Sequence, residues 1–270
     1  MKINFFQKPK KSLGQNFLID NNIIKKIVEV GEINNNSSVM EIGAGYGSLT
    51  NLIVSKKPKN IIVIEKDVKL AELLKKKFES INNIKILNKN VLDVIENKIM
   101  DKNIIVYGNL PYNISTKILS TLILFKKWPP WYSTLIFMFQ KEVADRIIAK
   151  TNTKEYGRLA VLSNWRLEVK KHFDVSSNCF FPKPKVASTV LSFRPIKNNK
   201  HNLKNPKNLE KVTQLFFSNR RKMINKIVRK IFKKNELIIN NLNINLNKRP
   251  GELKSETFYQ IAYQYEKLFS

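Results

Sequence analysis

Cysteine, histidine and carboxylate side chains are all scarce in this sequence. The single cysteine, Cys179, excludes an internal disulfide, and no cluster of metal-ligating residues surrounds it. The two histidines, His172 and His201, are far apart, which leaves little support for a histidine-based metal site or catalytic triad. No apolar run approaches the roughly 18 residues of a membrane span. The opening "MKINFFQKPKKSLG" carries charge but no apolar stretch long enough for a signal peptide. These shortages predict a cytoplasmic protein with no metal and no membrane span. No internal repeat is present.

The shortage of acid is the most informative. Only 21 Asp and Glu face 49 Lys and Arg, a formal net charge of +28. Like charges in that number repel one another in a compact chain, and a phosphate-bearing partner relieves the repulsion. Drift towards a Lys-, Asn- and Ile-rich composition would add lysines, and only eight basic residues are Arg. Drift would not, however, strip out Asp and Glu. The charge therefore points to nucleic acid.

What is abundant is apolar: 43% of the 270 residues are hydrophobic, enough for a sizeable core. Short apolar runs at 38–44, 60–65, 84–91, 103–109 and 134–140 alternate with helical periodicity at 46–56, 67–80 and 115–126. Strands separated by single helices predict βαβ units and a mostly parallel, doubly wound sheet. Near-continuous apolar runs suit strands buried on both faces. Segments 166–171 and 187–194 are expected to finish the sheet as an edge hairpin. After Pro195 the stretch 196–208 is polar, basic and aperiodic, as a linker or surface loop would be. Beyond it "LEKVTQLFFSNRRKMINKIVRKIF" has helical spacing, and a last helix is expected from Ser255. The expectation is an α/β Rossmann-like domain over 1–195 and a small all-α domain over 196–270.

"MEIGAGYGSLT" (40–50) closes the first strand and opens the first helix. Gly43, Gly45 and Gly47 permit a tight turn and close approach to a ligand. The spacing departs from the dinucleotide fingerprint, and no Gly-Lys-Ser/Thr follows to make a phosphate loop. Glu41 just ahead suits a cationic ligand better than a phosphate. Glu65 ends the second strand, where a carboxylate can accept from both ribose hydroxyls. Asp93 follows the third strand and could accept from an adenine amino group. Each acid alone could be a helix cap or a surface charge. Together they describe an adenosine ligand without phosphates and with a positive centre, for which S-adenosylmethionine qualifies and NAD and ATP do not.

"VYGNLPYNIS" (106–115) delivers Asn109, Leu110, Pro111 and Tyr112 to the same crevice. The Asn109 side-chain oxygen and the Leu110 carbonyl can accept both hydrogens of an exocyclic amine. Pro111 fixes its own φ and biases Leu110 towards an extended conformation. Tyr112 offers a face for stacking, worth roughly 1–3 kcal/mol per base. The rival reading is a helix-entry turn capped by Asn.

"KSLGQNFL" (11–18), "EIGAGYGSLT", "VIEKD", "NVLD", "GNLPYNIST", "QKEVADRI", "YGRLAVL" and "FFPKPKVAS" occur here in one order, followed by "FSNRRKMI" and "KRPGELKSETFYQIA". In that order and over nearly the whole chain, they resemble the KsgA-type rRNA adenine dimethyltransferases. The resemblance implies S-adenosylmethionine-dependent N6,N6-dimethylation of two adjacent adenosines near the 3′ end of small-subunit rRNA, late in subunit assembly. It implies donor contacts at Asn16, Leu18, Gly43, Glu65, Asp93 and Asn109, and Gln15, Glu41 and Gly45 beside them are further candidates for the donor site. It places the target amine at Asn109, Leu110, Pro111 and Tyr112, with Phe180 as a second wall around a flipped base. Ala44 and Ala187 depart from the family, which usually has Pro and Asp there.

Lys10, Lys11, Lys183, Lys185, Arg220, Arg221 and Lys222 are the candidate phosphate contacts, in a protein expected to be a monomer. Two rival functions remain at this level. One is an Erm-type dimethyltransferase of large-subunit rRNA, against which "NLPYNIS" and the C-terminal "RRK" and "RPGEL" count. The other is a non-catalytic nucleic-acid-binding paralogue, against which Glu65, Asp93 and the Asn-Leu-Pro-Tyr set count.

Overall fold

The computed structural model describes residues 9–10, 13–96, 102–197 and 203–269. The chain divides into two compact units: Met1–Thr121, Pro130–Ala144 and Lys170–Pro195 form one, and Leu122–Pro129, Asp145–Val169 and Ile196–Ser270 the other.

In chain order the described elements begin with β1 (Phe17–Leu18), α1 (Asn21–Glu29), β2 (Ser38–Ile42), α2 (Ser48–Ser55), β3 (Asn60–Glu65) and α3 (Val68–Lys77). They continue with β4 (Ile84–Asn88), α4 (Val91–Glu96), β5 (Ile104–Asn109), α5 (Ser115–Ile123), β6 (Tyr132–Gln140) and α6 (Lys141–Ile147). Then come α7 (Arg158–Arg166), β7 (Leu167–Val175), β8 (Phe180–Phe181), β9 (Ser188–Pro195), α8 (Lys207–Ser218), α9 (Asn225–Ile231), α10 (Glu236–Asn241) and α11 (Ser255–Phe269).

Among the described residues the main sheet has the order β4-β3-β2-β5-β6-β9-β7. The pairs β2–β3, β3–β4, β2–β5 and β5–β6 are parallel, and β6–β9 is antiparallel. From β2 the chain winds outward to β4, then crosses back to β5 on the other side. That reversal opens a crevice at the carboxyl ends of β2 and β5, where ligands of such sheets bind. The buried runs Ile61, Val63 and Ile64 on β3 and Ile104, Val106 and Tyr107 on β5 account for the central strands. Asp20 and Asp67 cap α1 and α3 through their side chains, while Gly47 opens α2 in the left-handed region at φ 75°.

All five apolar runs form strands, but the first and third end sooner than their apolar character suggests. Residues 43–44 turn into the glycine loop, and 89–91 lead into α4. The expected edge pair is present: β7 and β9 are neighbouring strands at the end of the sheet, with β9 beside β6 and β7 outermost. A small second sheet pairs β1 with β8 antiparallel, Leu18 opposite Phe180 and Phe17 opposite Phe181.

The other unit contains more than the C-terminal segment from 196. Its α7 packs against α8 and α11, burying Ala160, Val161, Leu162 and Trp165. The Tyr259 hydroxyl donates to the Val161 carbonyl at 3.0 Å, and Phe216 meets Phe258 edge to face. Buried Glu266 accepts from the N–H groups of Lys204 and Asn205, so the end of the polar stretch is anchored to α11. The single helix expected across 209–232 divides in two. Ser218 Oγ donates to the Leu215 carbonyl at 2.8 Å at the end of α8, and the Lys222 N–H donates to the Asn219 carbonyl in a turn. "NRRK" therefore occupies that turn and not a helical face.

Candidate active site

One pocket gathers the glycine loop, the end of β3, the start of α4, the Asn109–Asn113 loop and the arm at residues 13–18. Its geometry begins with backbone conformation. Gly43, Gly45 and Gly47 all have positive φ, at 73°, 59° and 75°, which glycine adopts without the strain a side chain would bring. The turn brings the Gly45 N–H to Glu65 Oε2 at 2.9 Å. The Asp67 N–H donates to Glu65 Oε1, also at 2.9 Å. Burial raises the Glu65 carboxyl above its ordinary range, and these two backbone hydrogen bonds oppose the rise. An ionised carboxylate has about four acceptor positions. Backbone N–H groups, that of Lys66 among them, take part of this capacity, and the remainder can accept from a ligand hydroxyl.

Glu41 lies at the carboxyl end of β2 and is buried. Thr50 Oγ1 donates to its Oε2 at 2.6 Å. Desolvation raises its carboxyl to about 7, helped by Glu65 and opposed by the Thr50 hydrogen bond and the Lys77 charge. A positively charged ligand beside it would shift Glu41 towards its ionised form.

The arm closes one side of the pocket. Gln15, Asn16 and Leu18 all line it, with Leu18 buried. Lys10 Nζ lies 2.7 Å from Asp67 Oδ2, and Gln15 Nε2 donates to the same oxygen at 3.3 Å. The Lys10 N–H in turn donates to Gln15 Oε1 at 2.7 Å. Asp67, two residues past Glu65, thus joins the arm to the end of β3. Asn109, at the end of β5, donates through Nδ2 to the Asn16 carbonyl at 2.8 Å, which leaves its Oδ1 as an acceptor. Leu110, Pro111 and Tyr112 follow along the pocket wall.

Most of the site residues expected from the sequence meet here: Gln15, Asn16, Leu18, Glu41, Gly43, Gly45, Glu65, Asn109, Leu110, Pro111 and Tyr112. Three expectations are corrected. Asp93 is exposed on α4 and does not line the pocket; Asn90, three residues earlier, does. Only Lys89 and Asn90 separate β4 from α4, and both face the crevice, whereas Asp93 lies within the helix. Phe180 does not line this pocket. It is 3% exposed in the core cluster with Leu18, whereas Phe181 is 41% exposed, because neighbouring strand residues point to opposite faces. Lys10, expected on a phosphate, is paired with Asp67 within the chain.

Lys183, Lys185, Arg220, Arg221 and Lys222 are exposed, and the Arg220 guanidinium donates to the Thr153 carbonyl at 3.0 Å. Lys11 lies outside the described residues. Sequence reasoning missed Thr50, Asp67 and Asn90. An acid two residues beyond Glu65 and an Asn near the end of the third apolar run were signals in plain view.

A parallel sheet with a switch point, a glycine loop and a buried glutamate on its backbone define a Rossmann-like, class I methyltransferase domain. Two solved structures share the fold. A dimethyladenosine transferase from Plasmodium falciparum superposes with a TM-score of 0.76 at 24% identity, covering 93% of this chain and 98% of that one. The 23S rRNA methyltransferase ErmE gives 0.66 at 22% identity, covering 93% and 99%. The chain belongs to the ribosomal RNA adenine dimethylase family, whose model matches residues 6–267. It is 49% identical over 263 residues to the ribosomal RNA small subunit methyltransferase A of Pelagibacter ubique, covering 97% of this chain and 99% of that protein. The protein of the same name from a Wolbachia of Drosophila simulans is 39% identical over 272 residues, covering 98% and 96%. The chain is thus an rRNA adenine dimethyltransferase with S-adenosylmethionine as methyl donor. The pocket fits that donor: it offers a buried carboxylate for hydroxyls, close backbone at the glycines and a buried acid beside the loop.

Proposed function

We propose that this enzyme places two methyl groups on N6 of each of two adjacent adenosines near the 3′ end of small-subunit rRNA, late in subunit assembly. The observation that carries the reading is the Asn109 amide. With Nδ2 committed to the Asn16 carbonyl, Oδ1 is the atom left to accept from a substrate amine, and Tyr112 stands three residues on.

S-adenosylmethionine supplies an activated methyl group on a sulfonium. Glu65 and the glycine loop hold the donor's adenosine portion, and Glu41 favours its positive charge. Asn90 lines the part of the pocket where Asp93 was expected to act. The lone pair of an adenine N6 amine is delocalised into the ring, which makes it a weak nucleophile. Acceptance of its two hydrogens by Asn109 Oδ1 and the Leu110 carbonyl favours a tetrahedral nitrogen with its lone pair directed at the methyl. Positioning of this kind supplies much of the rate. The proton passes to solvent water after transfer, when the nitrogen is cationic and acidic, so no strong base is needed.

Tyr112 carries the base by stacking. The exposed cations Lys183, Lys185, Arg220, Arg221 and Lys222 take rRNA phosphates, in keeping with the net charge of +28. We assign the enzyme to the cytoplasm as a monomer. Among the described residues no helix is long and apolar enough to cross a membrane.

The test is to incubate the protein with S-adenosylmethionine and under-methylated small subunits, with large subunits alongside, and to quantify N6,N6-dimethyladenosine by mass spectrometry. Product confined to small subunits is expected. Product in large subunits would favour the Erm-type reading.

A further inference from the structure

Tyr112 is held at both ends. Its backbone carbonyl accepts from Ser115 Oγ at 3.2 Å, and its phenol oxygen lies 2.6 Å from Ser188 Oγ. Ser188 is fully buried as the first residue of β9, where it pairs with Gln140 at the end of β6. Immediately before it, the Ala187 carbonyl accepts the Lys141 N–H at 2.9 Å. The backbone that carries Ser188 is therefore pinned on the β6 side, and its hydroxyl is a fixed anchor for the tip of a half-buried ring. With its oxygen engaged by Ser188, Tyr112 has its ring faces left to meet a base.

We infer that Ser188 is a positioning residue for the methyl acceptor: its hydroxyl holds the Tyr112 ring in the plane against which the target adenine stacks. The inference rests on the dimethyltransferase reading above. Nothing in Ser188 touches the reacting nitrogen. It acts through the orientation of the tyrosine, and an amine displaced by about an ångström can lose up to 100-fold in rate. If Ser188 served only to knit β9 into the sheet, its effect would be on stability and would not depend on the tyrosine hydroxyl.

A double-mutant cycle separates the two roles. Native protein, Ser188→Ala, Tyr112→Phe and the double variant are assayed with under-methylated small subunits, and S-adenosylmethionine binding is measured by calorimetry. Each single variant is expected to lower kcat/KM for subunits by about three- to tenfold, the scale of one net hydrogen bond. Donor affinity stays unchanged, and the double variant is no worse than either single one, because both remove the same interaction. Additive losses, a parallel fall in donor affinity, or an unaffected Ser188→Ala would overturn the assignment while leaving the dimethyltransferase reading in place. A native protein inactive on small subunits would overturn that reading and the Ser188 assignment with it.

Discussion

The Asn109 amide donates to the Asn16 backbone carbonyl at 2.8 Å, across 93 positions of sequence. The arm thereby decides which way the amide points. Replacement by Asp removes the donor and sets a carboxylate oxygen against that carbonyl, so the acceptor can no longer be held in place. Asn109→Asp and Asn109→Ala are both expected to lower kcat on the order of 100-fold, measured by single-turnover methyl transfer. A fully active Asp variant would show that the amide's orientation is irrelevant.

Glu65 is held by two backbone N–H groups, from Gly45 and Asp67. Glu65→Gln must turn its NH2 towards one of them and leave a buried donor without an acceptor. Calorimetry should find S-adenosylmethionine bound roughly 10- to 100-fold more weakly, as expected for about 1–3 kcal/mol. Unchanged affinity would remove Glu65 from the donor site.

Glu41 makes stability depend on pH. Its folded-state value of about 7 stands above the ordinary 4.5. The folded chain therefore keeps a proton that the unfolded chain loses. The stability contributed by neutral Glu41 is complete below pH 4.5 and is lost as pH rises through about 7. Glu41→Gln removes this dependence. Without donor, the variant should gain on the order of 3 kcal/mol relative to native protein between those limits. Denaturant melts at both ends of the window measure the difference. A gap that does not change with pH would contradict the burial argument.

The basic turn after α8 predicts salt behaviour. Each phosphate contact contributes about 0.7 to 0.9 to the slope of log affinity against log salt. A triple alanine variant of Arg220, Arg221 and Lys222 should lose about 2 from that slope for under-methylated subunits while binding S-adenosylmethionine normally. An unchanged slope would place the rRNA elsewhere.

Much of this site was legible because its signals are local. The Ile-rich runs could only be buried strands, and a glycine loop at the first strand end fixes where ligands go. That Asn109, Leu110, Pro111 and Tyr112 reach the crevice was readable from their place straight after a strand. The misses are tertiary or concern a single turn. Whether Asp93 or Asn90 faces the pocket depends on where β4 stops, which a hydrophobic run leaves open to a few residues. The inward turn of Phe180 follows from pairing with Leu18, a contact between distant segments. Lys10 looked like any other lysine in a basic arm until the fold brought Asp67 against it. α7 joins α8 and α11 because its buried residues find their partners there, which no spacing within 158–166 reveals.

The most direct test of the central claim combines labelled S-adenosylmethionine, under-methylated small subunits and nucleotide-level mapping, with native protein and Asn109→Ala side by side. Label on N6 of two adjacent adenosines near the 3′ end of small-subunit rRNA is expected with the native protein, and almost none with Asn109→Ala. Label elsewhere, or full transfer by Asn109→Ala, would contradict it.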